Sequence, residues 1–450
     1  MAEKIMVAGA GKSGIEAARM LLELGASVLI YDENKELDVE KVKSTLPDVG
    51  EISFKLGVLT KNDIKDISLC VISPGIDLAK DFVKLLDDNN VAVWSEIQLA
   101  YQKELGKLVA ITGTNGKTTT TALTGEILKK NYAETFVVGN IGVPYTTTAL
   151  KTTENSVTVL ETSSFQLETI TDFRPHVSAI LNITPDHLNR HKTMANYVAI
   201  KESITMNQTE DDFVVLNYDD PYLYDFGHSD RVKAKVIWFS SSTNLEEGYY
   251  LRDGSIFKKH DRVETKIINV DELILLGKHN YENVMAAIAM AECMRVPMSK
   301  ICEALREFKG VEHRIEFVRE RTGVKFYNDS KGTNPDAAIN AIKAMPGKIL
   351  LIGGGYDKGG EFDAWVESFG DKVKYLVLIG QTRDRIAECC KAHGFTNIMY
   401  AESLEEAVKV CVSYADMGDC VLLSPACASW DMFKCYEERG ELFKQYVNEL

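Results

Sequence analysis

Short apolar runs separated by amphipathic stretches recur along the whole chain. Ile5-Met6-Val7-Ala8 reads as a strand, Ile15 to Leu24 as an amphipathic helix, and Val28-Leu29-Ile30-Tyr31 and Leu69-Cys70-Val71-Ile72 as further strands. These lie in a first segment from Lys4 to about Trp94, and their alternation is that of βαβ units on a parallel sheet. In a second segment, about Ser95 to Lys309, Leu108 to Ile111, Val157 to Leu160 and Val177 to Leu181 read as buried strands. Thr119 to Lys130 reads as a helix with Leu123, Ile127 and Leu128 on one side, and Val284 to Cys293 as an Ala-rich helix. Asp211 to Asp271 is rich in strands and turns and carries no chemistry that can be named. The third segment starts near Gly310 and holds strands at Lys348 to Ile352, Val373 to Ile379 and Val421 to Leu423. The pattern predicts an α/β protein of three domains, 1–95, 96–309 and 310–450. The first and last are Rossmann-like, and the central one is like a P-loop ATPase.

Open α/β sheets bind ligands at the carboxyl ends of their strands, so the polar residues at those ends matter most. Gly9-Ala10-Gly11-Lys12-Ser13-Gly14 follows the first strand and Asp32 ends the second, which is nominally the dinucleotide fingerprint. A tight turn without ligand is the plain alternative. Ser73-Pro74-Gly75 also lies just past a strand and would face the same crevice, which favours nucleotide-type phosphate binding. Gly113-Thr114-Asn115-Gly116-Lys117-Thr118 sits between a strand and a helix. That context aims backbone N–H groups and a helix N-terminus at phosphates, adds an ammonium, and offers a hydroxyl to Mg²⁺. The usual loop has Gly where Ile111 stands, so this is a shortened variant. Glu161, at the tip of the Val157 strand, stands where a Mg²⁺ ligand belongs. His187, beside Asp186 in the exit loop after Leu181, is a candidate ligand.

Lys201 falls inside the stripe made by Met194, Tyr197, Ile200 and Ile204. An inward lysine meets a carboxylate or loses its charge, and a lysine snorkelling from the stripe's edge is equally compatible with the spacing. His279, Asn280 and Asn283 gather at the start of the Ala-rich helix, as a nucleotide contact or a capping cluster. The exits Asn328 to Asn334, Gly353 to Gly360 and Ser424 to Asp431 are rich in Lys, Ser and Thr and suggest an anion-binding face.

Composition narrows the partners. Asp and Glu total 66 against 51 Lys and Arg, a formal charge of −15 over 450 residues, which argues against nucleic acid or an anionic membrane as the main partner. No signal-peptide core and no apolar stretch of about 18 residues is present, so a cytoplasmic chain without membrane insertion is expected. Nine cysteines without C-x-x-C spacing read as reduced thiols, with Cys389-Cys390 as two half-buried helix residues.

Taken together, the Gly113–Thr118 loop, Glu161-Thr162-Ser163-Ser164-Phe165-Gln166, Asn182 through Arg190, His279 through Asn283 and His313-Arg314 resemble the Mur ligase family. These are ATP-dependent amide-forming enzymes of peptidoglycan precursor synthesis. Asn328 through Asn334 and Ser424 through Ser429 look like the branch that adds D-glutamate to UDP-N-acetylmuramoyl-L-alanine. The resemblance implies that Gly113, Thr114, Asn115, Gly116, Lys117, Thr118, Thr119, Asn280, Asn283, Arg314 and Asp329 hold ATP. Thr118 and Glu161 would bind one Mg²⁺. His187 would help bind a second, bridged by a carbamate on Lys201. Ser13, Asp32, Pro74, Gly75, Asn140, Ser163 and Gln166 would contact the UDP-substrate. Lys331, Thr333, Lys358, Ser429 and the backbone near Tyr436 would hold the carboxylates of D-glutamate. A monomer acting only on small molecules is implied. The first domain would then bind UDP and not NAD, and the role of Asp357 stays open.

Overall fold

The computed structural model describes residues 4–140 and 142–450. The chain divides into two compact units, Met1–Glu272 with Glu282–Arg306, and Leu273–Tyr281 with Glu307–Leu450. The first unit holds two sheets and the second holds one.

The first sheet comprises β1 (Lys4–Ala8), β2 (Ser27–Asp32), β3 (Ile52–Leu56), β4 (Leu69–Ile72) and β5 (Ala92–Ser95), all parallel, in the order β3-β2-β1-β4-β5. Strands covered on both faces read as unbroken apolar runs, and β4 is buried at all four positions. β3 and β5 escape the sequence pattern because Ile-Ser-Phe-Lys-Leu throughout, and Ala92 to Trp94 in β5, stay at least partly exposed. Helix Lys12–Glu23 buries Ala17, Ala18, Met20, Leu21 and Leu22. A Cβ on its Gly14 would lie 1.8 Å from the Gly9 carbonyl oxygen, so only glycine lets the helix sit this close to the loop after β1.

The second sheet comprises β6 (Lys107–Thr112), β7 (Thr135–Gly139), β8 (Val157–Glu161), β9 (Val177–Ile180), β10 (Phe213–Asn217), β11 (Lys235–Ser240), β12 (Gly248–Arg252), β13 (Ser255–His260) and β14 (Val263–Asn269). Its order is β14-β13-β12-β11-β10-β9-β6-β8-β7. Only the β12-β13-β14 meander is antiparallel. One apolar cluster runs from Ile5 and Val28 through Ile97 and Leu99 to Leu108 and Tyr145, so the two sheets share core. The Ala-rich helix begins at Lys278 and not at Val284, because the polar residues expected as its approach form its first turns. Val284 to Ala291 are buried all round, as in a helix enclosed on every side.

The second unit comprises β15 (Glu316–Arg321), β16 (Val324–Asn328), β17 (Ile349–Gly353), β18 (Val373–Leu378), β19 (Ile398–Tyr400) and β20 (Cys420–Leu423), in the order β15-β16-β20-β17-β18-β19. Only β15 is antiparallel to its neighbour. Ile349 and Leu351 face one core with helices Pro335–Ala344, Asp363–Glu367 and Arg383–Ala392. Leu350 and Ile352 face the other, with helices Leu404–Tyr414 and Tyr436–Asn448. Period-two alternation thus puts helices on both faces of the sheet. The nine cysteines are free thiols; Cys389 is half-buried and Cys390 wholly buried, a correction to the half-buried pair expected. Among the described residues no helix is long and apolar enough to cross a membrane.

Candidate active site

The central strands β9, β6, β8 and β7 are neighbours and parallel, so their exits fall side by side. They deliver Asn182, the Gly113 loop, Glu161 and Asn140 to one edge of the sheet. The loop is held from below: Thr114 N–H donates to the Asn182 carbonyl at 2.9 Å and Asn115 N–H to the Asn182 side chain at 2.8 Å. The Thr114 hydroxyl lies 3.1 Å from the Tyr197 hydroxyl. Gly116 takes a left-handed φ of 86°, and a Cβ there would lie 2.2 Å from Asn283 Oδ1. Thr118 and Thr119 are buried in the first turn of helix Lys117–Lys129.

Glu161 is the last residue of β8 and only 2% exposed. Asn140 Nδ2 donates to its Oε1 at 3.0 Å, while its buried Oε2 has no hydrogen-bond partner. Buried polar atoms are rarely left so, and an unpartnered carboxylate oxygen is the hard donor a Mg²⁺ ion prefers. Lys117 donates to the Gly113 and Thr114 carbonyls at 2.9 and 2.8 Å, and Lys201 donates to the same Gly113 oxygen at 2.8 Å. Lys201 is 1% exposed, with its Nζ 4.8 Å from the Tyr197 ring centroid. Burial first, and then the Lys117 charge, hold its ammonium well below the ordinary lysine range against the pull of Asp186. The snorkelling alternative is thereby corrected: Lys201 points inward, while Ile200 is the half-buried neighbour.

His187 takes a left-handed φ of 52° and stays exposed, its Nε2 3.4 Å from Asp186. Its ring packs on Phe165 at 4.9 Å. Ser163 caps a short helix through a reciprocal box with Gln166. Gln166 is buried: its Oε1 accepts from Ser163 N and Oγ, and its Nε2 donates to Glu96 Oε1 at 2.7 Å. Both ends of the Gln166 amide are thus engaged within the chain, and it braces Ser163. Burial pushes Glu96 up to about 7, opposed by the Gln166 hydrogen bond. Glu96 was missed because an acid opening a helix reads as a first-turn charge.

At the first sheet, Asp32 accepts from Ala10 N–H at 2.9 Å and from Asn34 N–H at 2.9 Å. Ser13 is half-buried in the first turn of its helix and Gly75 is exposed. The Pro74 carbonyl accepts from Arg190 at 2.7 Å, whose guanidinium also lies 4.1 Å from the Phe165 ring centroid and bonds Glu168. Arg190 thus joins the exit of β4 to the central sheet.

In the second unit, β16, β20 and β17 are parallel neighbours, so Lys331, Thr333, Ser429 and Lys358 leave the sheet on adjacent loops. Asp329 is buried and pushed up to about 7 by burial, opposed by the 2.6 Å Ser424 hydrogen bond and then by Arg314. Lys331 lies 5.7 Å from the Tyr436 ring centroid, and the Tyr436 carbonyl accepts from Ser330 Oγ at 2.7 Å. Exposed Lys358 sits 4.7 Å from the Trp430 ring centroid, and Ser429 is buried. Asp357 accepts from Arg385 and from Gly359 N–H, so it braces its own loop. Asn280 Nδ2 donates to Leu276 at 2.7 Å, and burial, then the Arg314 charge, lower His279 to about 4. Arg439 was also missed. It looks like a surface charge in Tyr436-Glu437-Glu438-Arg439, yet it is wholly buried and donates to Ser330 Oγ, Ser330 O and Cys427 O at 2.9, 2.8 and 3.2 Å.

Residues 3–95 match the Mur ligase MurD-like, N-terminal domain, residues 111–291 the Mur ligase middle domain, and residues 313–427 the Mur ligase, glutamate ligase domain. The UDP-N-acetylmuramoylalanine--D-glutamate ligase of Lachnoclostridium phytofermentans is 53% identical over 450 residues, 100% of this chain and 99% of that one. Its namesake from Clostridioides difficile is 45% identical over 449 residues, 100% and 99% of the two chains. The crystal structure of UDP-N-acetylmuramate-alanine ligase from Thermotoga maritima shares the fold over 99% of both chains, with a TM-score of 0.61 at 20% identity. The MurF ligase of Thermotoga maritima in complex with ADP does so over 94% of this chain and 95% of that one, at 0.60 and 18%. With three successive domain matches and relatives that share about half its residues from end to end, the chain belongs to the Mur ligase family.

Proposed function

We infer that this chain is an ATP-dependent ligase that joins D-glutamate to UDP-N-acetylmuramoyl-L-alanine, releasing ADP and phosphate, in peptidoglycan precursor synthesis. One observation carries the chemistry: a phosphate loop, an inward lysine and a buried carboxylate with an unpartnered oxygen meet at adjacent strand ends. The names of the full-length relatives supply the substrates.

Carboxylate and amine do not condense in water until an oxygen becomes a leaving group. The substrate carboxylate attacks the γ-phosphorus of ATP, ADP departs, and an acyl phosphate forms. The amine of D-glutamate then attacks that carbonyl and phosphate leaves. Lys117 and the N–H groups of Gly113 to Thr119 hold the phosphates, and catalysis is positioning and charge. Asn280, Asn283, Arg314 and Asp329 complete the nucleotide site. Thr118 and Glu161 would hold Mg²⁺, which supplies positive charge to the transferring phosphoryl group. A neutral Lys201 amine adds to CO₂ and loses a proton to become a carbamate, an anionic oxygen donor that with His187 would hold a second Mg²⁺. Ser13, Asp32, Pro74 and Gly75 bind the uridine diphosphate, with Asn140 and Ser163 nearer the sugar. Lys331, Thr333, Lys358 and Ser429 take the two carboxylates of the acceptor. The chain acts as a monomer in the cytoplasm.

The test is phosphate release with ATP, Mg²⁺ and UDP-N-acetylmuramoyl-L-alanine, comparing D-glutamate with L-glutamate and diaminopimelate. Turnover with D-glutamate alone is expected. Release that ignores the acceptor, or that prefers diaminopimelate, overturns the assignment.

A further inference from the structure

Two short helices of the second unit present four metal-competent side chains to one another. Asp363 and Glu367 are four residues apart on helix Asp363–Glu367. Cys389 and His393 are four apart on helix Arg383–Ala392 and its C-cap. That spacing puts each pair on one helix face. The helices share a core through Trp365, Val366, Ile386 and Cys390, so the faces meet. A carboxylate oxygen of Asp363, the Cys389 sulfur and a ring nitrogen of His393 all lie within 4.8 Å of one another. His393 Nε2 is 2.9 Å from Asp363 Oδ1, and its Nδ1 is 3.7 Å from Glu367 Oε1.

The composition of this cluster separates it from an ordinary ion-pair network. A second group of ligand-type residues, Glu312, His313 and Glu441, already holds a cation: Lys444 Nζ lies 2.7 Å from Glu441 and 3.3 Å from Glu312. Beside Cys389 the nearby cation, Arg385, is turned away to Asp357 and the Gly360 carbonyl. Tetrahedral zinc bonds of about 2.0–2.3 Å set ligand atoms roughly 3.3–3.8 Å apart, so small rotations of partly exposed side chains suffice. A carboxylate facing the second ring nitrogen of a ligating histidine is the usual outer-shell arrangement.

We propose that Asp363, Cys389 and His393 form a binding site for a borderline transition-metal cation, Zn²⁺ by its ligand set, with Glu367 orienting the imidazole. The site is separate from the ligase chemistry and needs none of it. The Cys389 thiol gives its proton to solvent and the sulfur coordinates as thiolate. A metal here would tie together the two helices that flank the Gly354–Gly360 loop.

The experiment uses the tag-free, chelator-stripped full chain with millimolar Mg²⁺ to occupy oxygen-only sites. Co²⁺ titration should give one equivalent of tetrahedral absorption with a thiolate-to-metal charge-transfer band, absent in Cys389→Ser. Competition with a chromophoric chelator should show Zn²⁺ affinity falling more than about a hundredfold in Cys389→Ser and His393→Ala and about tenfold in Glu367→Gln. Circular dichroism checks that each variant folds, and Asp363→Asn provides a second ligand test should one fail. Absence of the band in the native chain, its survival in Cys389→Ser, or equal Zn²⁺ affinity in native and folded variant chains overturns the proposal.

Discussion

At position 201 an amine has been moved out of water and set beside a second lysine on one carbonyl oxygen. Neither burial nor Lys117 tolerates a charge there, which favours the neutral form that reacts with CO₂. Lys201→Ala should lose most amide-forming activity, and a short carboxylic acid in the assay should restore part of it; full activity in the variant removes the lysine from the mechanism. Glu96 gives a pH signature. In the unfolded chain it releases its proton near 4.5, and in the folded chain near 7. Between those values the folded state holds the extra proton, so stability falls as pH rises through that window and levels off above it. Glu96→Gln keeps an acceptor for Gln166 and abolishes the titration. Its melting temperature relative to the native chain should therefore climb from pH 4.5 to 7, by an amount matching a few kcal/mol. Parallel melting curves across that range would show that Glu96 does not titrate there.

Among the elements, the phosphate loop was legible because three signals coincide: an apolar strand, two glycines and a helix start. Its supports were not. The Tyr197 hydroxyl on Thr114 and the Asn182 amide on Asn115 join residues far apart in sequence, and no local pattern encodes such pairings. Lys201 was half-legible: its stripe showed that it could face inward, but only packing decides between burial and snorkelling. Likewise β3 and β5 were hidden because a half-buried strand has no apolar run to display. Tyr197→Phe tests the loop as an element. It removes one hydrogen bond, about 1 kcal/mol, while keeping the ring beneath Lys201. KM for ATP should rise several-fold with the fold intact; an unchanged KM would mean that the loop holds its shape without the hydroxyl.

On the scale of the whole molecule, the residues assigned to one reaction belong to two compact units: Lys117, Glu161 and Lys201 to one, Arg314, Lys331 and Ser429 to the other. Reacting atoms must come within roughly 3–3.5 Å for turnover, so the units should close together when substrates bind. Small-angle scattering should report a smaller radius with a nucleotide analogue plus UDP-substrate than without; superimposable profiles would refute closure. Within the second unit, Arg439 governs how its loops can move. One guanidinium, sealed from water, fastens the loop after β16 to the loop after β20 and both to helix Tyr436–Asn448. Lysine, with a compact head and three donors, cannot span the same set of oxygens. Loops that look like independent fingers are therefore coupled through one side chain. A molecule that pries one of them open must also strain the other and the last helix, so a competitor for the acceptor site inferred above should meet these two loops as one wall.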